Sequence, residues 1–91
     1  MKYFTFRQNN SGGSFIVNDK LDVNVIIAAA NAEEANSKAQ KIGIYFDGVE
    51  EGEDCECCGD RWYMTNESDG KDKPEIYGKS PSEKDNFKLW I

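Results

Sequence analysis

This chain of 91 residues has no histidine, only two arginines (Arg7 and Arg61) and only three cysteines. Without histidine, neither a Ser–His nor a Cys–His nucleophile pair can form. Walker, Rossmann and nucleophile-elbow motifs are absent, as are internal repeats, so an enzyme is not expected. An odd number of cysteines argues against a closed intramolecular disulfide framework. There is no basic stripe, and the net charge of −6 argues against binding to a nucleic-acid backbone. The first residues lack the apolar run of a signal peptide, and no stretch approaches a membrane span. These absences predict a protein of the cytoplasm, with reduced thiols and no membrane partner.

What is present describes one folded domain over residues 1–91. Apolar residues make up 38% and charged residues 31%, but five Phe, four Tyr and two Trp are too many for a disordered chain. Residues 3–17 read as a β-hairpin around the turn-forming Asn9-Asn10-Ser11-Gly12-Gly13. Residues 23–29 are apolar on both faces, which predicts an inner strand. Asn31, three positions before Glu34, predicts a helix N-terminus. Ala32, Ala35, Ala39 and Ile42 recur at helical spacing, and Gly43 is placed to end the helix. Short strands are expected near residues 45–46, 61–65, 75–77 and 87–91. The sum is an α+β fold: a small, mostly antiparallel sheet of about five or six strands with one helix on a face. Residues 47–60 are expected to form an acidic loop and residues 66–74 a flexible polar loop.

The acidic stretch holds seven acidic residues and no basic one. It predicts a solvated loop or a surface that covers a basic host protein. Its end, Asp54-Cys55-Glu56-Cys57-Cys58-Gly59-Asp60-Arg61-Trp62, contains every cysteine. Cys55 and Cys58 have the spacing of a zinc-knuckle half-site, with Cys57 between them. Zinc requires four ligands, so a second subunit or a carboxylate would have to complete the set. The alternatives are a zinc-knuckle-like interaction module, reduced cysteines that shape a tight turn, or a redox pair.

Arginine is scarce beside nine lysines, and its planar fork suits phosphate, carboxylate and aromatic faces. Both arginines lie beside aromatic residues and near glycines. Arg7, Asn9, Ser11, Gly12, Gly13, Arg61, Trp62, Tyr63 and Tyr77 are therefore the candidate ligand-binding residues. The expected ligand is small, anionic and nucleotide-like, in a site shared between subunits of a homo-oligomer. No cofactor other than zinc at the cysteines is expected.

The blocks 3–15 (YFTFRQNNSGGSF), 31–35 (NAEEA), 43–48 (GIYFDG), 54–62 (DCECCGDRW) and 75–78 (EIYG) resemble a family of small phage-encoded proteins of unknown function. The resemblance spans nearly the whole chain. It implies expression in the cytoplasm of a bacterial host and an accessory role in countering host defence. A nucleotide-derived signal would be sequestered, or a host defence protein bound directly. It implies no catalytic residue.

Overall fold

The computed structural model describes residues 1–10, 13–82 and 84–91. Its sheet has three strands in the spatial order β1-β2-β3: β1 is Lys2–Arg7, β2 is Asn24–Ala29 and β3 is Phe87–Trp90. β1 and β2 are antiparallel, with Phe4 opposite Ile27 and Phe6 opposite Val25. β2 and β3 are parallel, with Trp90 opposite Ile27. All six residues of β2 are buried, which suits the central strand.

The helix α1, Ala32–Lys41, begins where its cap residue predicts. The Asn31 Oδ1 accepts from the Glu34 N–H at 2.8 Å, satisfying one of the free donors of the first turn. The Glu34 carboxylate turns back to the Ala30 N–H at 3.1 Å. That bond first, and Lys38 second, hold the Glu34 carboxyl below its ordinary range. Gly43 ends the helix with φ of 109°, and the Ile44 N–H reaches the Ala39 carbonyl. Ala32, Ala35 and Ala39 face the sheet. Their small side chains let the helix lie close to Phe4, Phe6, Val25 and Ile27 in a core that also takes in Phe46 and Trp62.

The expectation of a mostly antiparallel sheet of five or six strands is corrected to three strands among the described residues, one pair antiparallel and one parallel. Segments expected to pair as strands are held by side chains instead. The Gln8 carboxamide accepts from the Ile16 N–H at 2.6 Å and donates to the Ile16 carbonyl at 3.0 Å. It thus does for residue 16 what a neighbouring backbone would do in the expected hairpin. Asn36 on α1 does the same for Thr65, accepting from its N–H at 2.9 Å and donating to its carbonyl at 3.2 Å. The Thr5 hydroxyl donates to the Glu75 carbonyl. Among the described residues, single bridges join Tyr3 of β1 with Lys71 and Ile76 with Lys79.

Residues 66–74, expected as a flexible loop, form a strap across the edge of β1. A short 3-10 turn, Glu67–Asp69, starts it, and Tyr3 and Lys71 exchange backbone hydrogen bonds at 2.8 and 2.9 Å. The Glu67 carboxylate accepts from the Ala32 N–H at 2.6 Å, pinning the strap to the start of α1. In the last strand, Trp90 packs on the core, while Leu89 and the following Ile91 are exposed. No helix of the described residues is long and apolar enough to cross a membrane.

Candidate functional site

The two arginines have opposite environments. Arg61 is buried. Its Nη1 donates to the Gln8 carboxamide oxygen at 2.9 Å and to the Ser14 carbonyl at 2.7 Å. Its Nε donates to the Tyr45 hydroxyl at 3.1 Å and lies 3.7 Å from the Asp54 carboxylate, whose side chain is fully buried. Asp54 also accepts from the Tyr45 hydroxyl and the Arg61 backbone N–H, both at 2.7 Å. A buried charge requires such partners. Burial, then the hydrogen bond to Asp54, raises the pKa of the Tyr45 phenol, with Arg61 partly opposing. Gly48 belongs to this arrangement, because a Cβ there would collide with the Asp54 carboxylate and the Tyr45 ring.

The acidic stretch is therefore not a uniform solvated loop. Asp54 turns inward, and Asp60 accepts from the Val49 N–H at 2.9 Å. Asp47, Glu50, Glu51, Glu53 and Glu56 remain exposed.

Arg7 faces solvent at the end of β1. Its guanidinium lies over the Tyr77 ring, 4.6 Å from the centroid. Arg7 is a shared wall of two hollows. One, of about 300 Å³, is lined by Thr5, Asn24, Asp69, Lys71, Glu75 and Tyr77 among others. The other, of about 500 Å³, is lined by Gln8, Asn9, Asn10, Phe15 and Tyr63. Asn24 adds an unusual feature. Its residue is 5% exposed, and its carboxamide oxygen has no hydrogen-bond partner among the described residues. Buried polar atoms are normally satisfied.

Tyr77 reaches Arg7 from a strained position. Ile76 and Lys79 exchange backbone hydrogen bonds at 2.8 and 3.1 Å around the two-residue turn Tyr77-Gly78. Both turn residues have positive φ, 54° and 75°, the pattern of a type I′ turn. Gly78 adopts it freely, but a bulky residue at positive φ is an outlier. Such strain clusters at functional positions.

Of the nine expected ligand-binding residues, the structure gathers Arg7, Asn9, Tyr63 and Tyr77 around the two hollows. Gly13 is exposed but lines neither hollow. Ser11 and Gly12 lie outside the described residues. Arg61 and Trp62 stand apart: Trp62 is fully buried in the core, its indole N–H without a partner among the described residues, and the Arg61 guanidinium is committed internally. Composition singles out both arginines equally, and only the fold separates them. Asn24 and Phe15 were not anticipated. Asn24 sits in an otherwise apolar strand, which is the one sequence signal that could have drawn attention to it.

Next to this cleft lies the cysteine turn. The Cys58 and Gly59 N–H groups donate to the Cys55 carbonyl at 3.2 and 3.1 Å, and Gly59 has φ of 82°. The Asn9 carboxamide N–H donates to the Cys58 carbonyl at 2.7 Å and the Asp60 carbonyl at 3.3 Å. Within this turn the three Sγ atoms lie within 4.8 Å of one another. The Cys55 and Cys57 sulfurs are 2.8 Å apart, and those of Cys57 and Cys58 3.9 Å. The hydrogen bond from Cys57 lowers the Cys55 pKa, while the bonds to Cys55 and Cys58 push Cys57 up to about 11. Together the three sulfurs are placed to hold a metal ion.

Residues 1–89 match a domain of unknown function, DUF7296. The chain belongs to this family. No curated protein and no solved structure matches it. Membership in the DUF7296 family assigns no ligand or reaction.

Proposed function

We propose that this protein is a non-catalytic binding protein that sequesters a small, anionic, base-containing ligand over Arg7. The observation that carries this reading is the exposed Arg7 guanidinium, stacked on Tyr77 and shared by two hollows with aromatic residues on either side. A guanidinium pairs bidentately with phosphate or carboxylate oxygens. Lys71, on the same wall, adds a second cationic group. Tyr77, Tyr63 and Phe15 offer faces for a planar base. A base N–H would give the buried Asn24 oxygen the donor it lacks. Asn9 contributes at the rim, although its amide N–H groups already hold the cysteine turn.

The resemblance of the sequence blocks to phage-encoded proteins supplies the setting for this proposal. The ligand would be a nucleotide-derived host signal, held intact in the bacterial cytoplasm to blunt defence. Both hollows are open, and association with a second copy would close them further.

Calorimetry of the purified chain with linear and cyclic nucleotides tests the reading. It predicts saturable binding, with the nucleotide recovered chemically intact after heat release. Absence of any heat and any thermal shift across both classes would overturn it.

A further inference from the structure

We propose that Cys55, Cys57 and Cys58 form a trigonal thiolate site for one soft monovalent metal ion, copper(I), per chain. The inference rests on the cysteine turn alone and is independent of the ligand proposed for Arg7.

The donor set selects the ion. Three sulfurs converge, and among the described residues no carboxylate oxygen joins their cluster. The aspartates that flank the turn in sequence are otherwise engaged, Asp54 with Tyr45 and Arg61, and Asp60 with the Val49 N–H. The chain has no histidine to offer. Zinc takes four ligands in structural sites, so one chain falls a ligand short. Copper(I) is soft, favours thiolates and accepts three of them in a plane.

The geometry is close to what such a site requires. With metal–sulfur bonds of about 2.3 Å, the edges of a planar trigonal site are about 4.0 Å. The Cys57–Cys58 edge is already 3.9 Å. The Cys55–Cys57 edge of 2.8 Å must open by about 1.2 Å. Cys57 is exposed and Cys55 half-buried, so side-chain rotation can supply this without moving the core. The backbone beneath is held by the bonds from Cys58, Gly59 and Asn9 already described, which keeps the three sulfurs on one small turn. The exposed carboxylates of Glu53 and Glu56 beside it favour a cation over an anion.

Binding moves protons but no electrons. Each thiol gives its proton to solvent as its sulfur–copper bond forms, and copper remains in the +1 state. The test is an anaerobic titration of the fully reduced chain with copper(I) against bicinchoninate, a chromophoric chelator. The expected result is transfer of one copper ion per chain, with X-ray absorption showing a shell of three sulfurs and no nitrogen or oxygen. Cys57→Ser should lower the affinity by more than the about 10–100-fold typical of an outer-shell change, with the far-ultraviolet circular dichroism unchanged. Cys58→Ser provides a second variant should the first fail to fold. Copper left wholly with the chelator would overturn the proposal, as would equal retention by the serine variants. So would preferential retention of zinc at half an ion per chain, which would indicate a four-sulfur site between two chains.

Discussion

Arg61 and Gln8 meet inside the protein, with the Arg61 Nη1 donating to the Gln8 carboxamide oxygen at 2.9 Å. The same oxygen accepts from the Ile16 N–H. One side-chain amide therefore ties the residue after β1 to both the 14–16 segment and the cysteine-bearing segment. This relationship makes Arg61 part of the frame and leaves Arg7 to face solvent.

Arg61→Met would leave the Asp54 carboxylate buried without its cation. Removing one partner of a buried pair costs about 3–5 kcal/mol, a large part of a domain's net stability of about 5–15 kcal/mol. Arg7→Ala removes an exposed stacking contact worth about 0.5–1 kcal/mol. Urea unfolding of the two variants should therefore differ widely. Comparable midpoints would show that Arg61 is not the structural residue of the pair.

Tyr77 predicts a trade-off between stability and binding. Asn accepts positive φ with less strain than Tyr, and favours the first position of a type I′ turn. Tyr77→Asn should therefore hold stability level or raise it by up to about 1 kcal/mol. The same change removes the ring beneath Arg7 and should weaken nucleotide binding about 5–150-fold, as loss of one stacked ring is worth about 1–3 kcal/mol. Thermal melts and calorimetry on one variant read both effects. A variant that is destabilised and yet binds normally would contradict this account of the turn.

Alkaline pH tests the buried network through Tyr45. Its folded pKa is raised above the ordinary value of 10.0 by burial and by Asp54. The unfolded chain therefore loses this phenol proton at lower pH than the folded chain does. The stabilisation is fully present below pH 10 and is lost as pH rises through the folded pKa. Unfolding midpoints measured from pH 8 to 12 should fall at the alkaline end, and Tyr45→Phe should flatten that slope while costing about 1–3 kcal/mol at neutral pH through the lost hydrogen bonds to the Asp54 carboxylate and from the Arg61 Nε. An unchanged slope in the variant would remove Tyr45 from the explanation.

Asn9 joins the two sites, since it lines the larger hollow and holds the cysteine turn. Asn9→Ala should cost about 1 kcal/mol of stability for its lost hydrogen bonds. It should also weaken copper(I) binding about 10–100-fold, as the loss of an outer support does. Copper affinity equal to that of the parent chain would show that the turn holds its shape unaided.

The parts of the fold legible in the sequence are those that use local rules. The strand over residues 24–29 is buried on both faces, and α1 is capped by Asn31 and stopped before Gly43 because capping and positive φ are local demands. The number of strands was not legible. Residues 14–17 and 61–65 have the composition of strands, yet Gln8 and Asn36 satisfy their backbones from distant positions. A side chain that imitates a neighbouring strand leaves no periodic signal. The candidate site divides in the same way. Composition marks Arg7, Arg61, Trp62 and Tyr77 alike, but burial places Arg61 and Trp62 within and Arg7 and Tyr77 without. The cysteine spacing was visible, whereas the commitment of Asp54 and Asp60 to other partners became visible only in three dimensions.

The central claim is that Arg7 is the arginine that meets a ligand. Its most direct test is mass spectrometry of the small molecules released by heat from the purified chain after exposure to an extract of infected bacteria, comparing the parent with Arg7→Ala. The account predicts an intact anionic, base-containing molecule from the parent and little or none from the variant, with both chains folded. Recovery of the same molecule in equal amount from both, or of none from either, would contradict it.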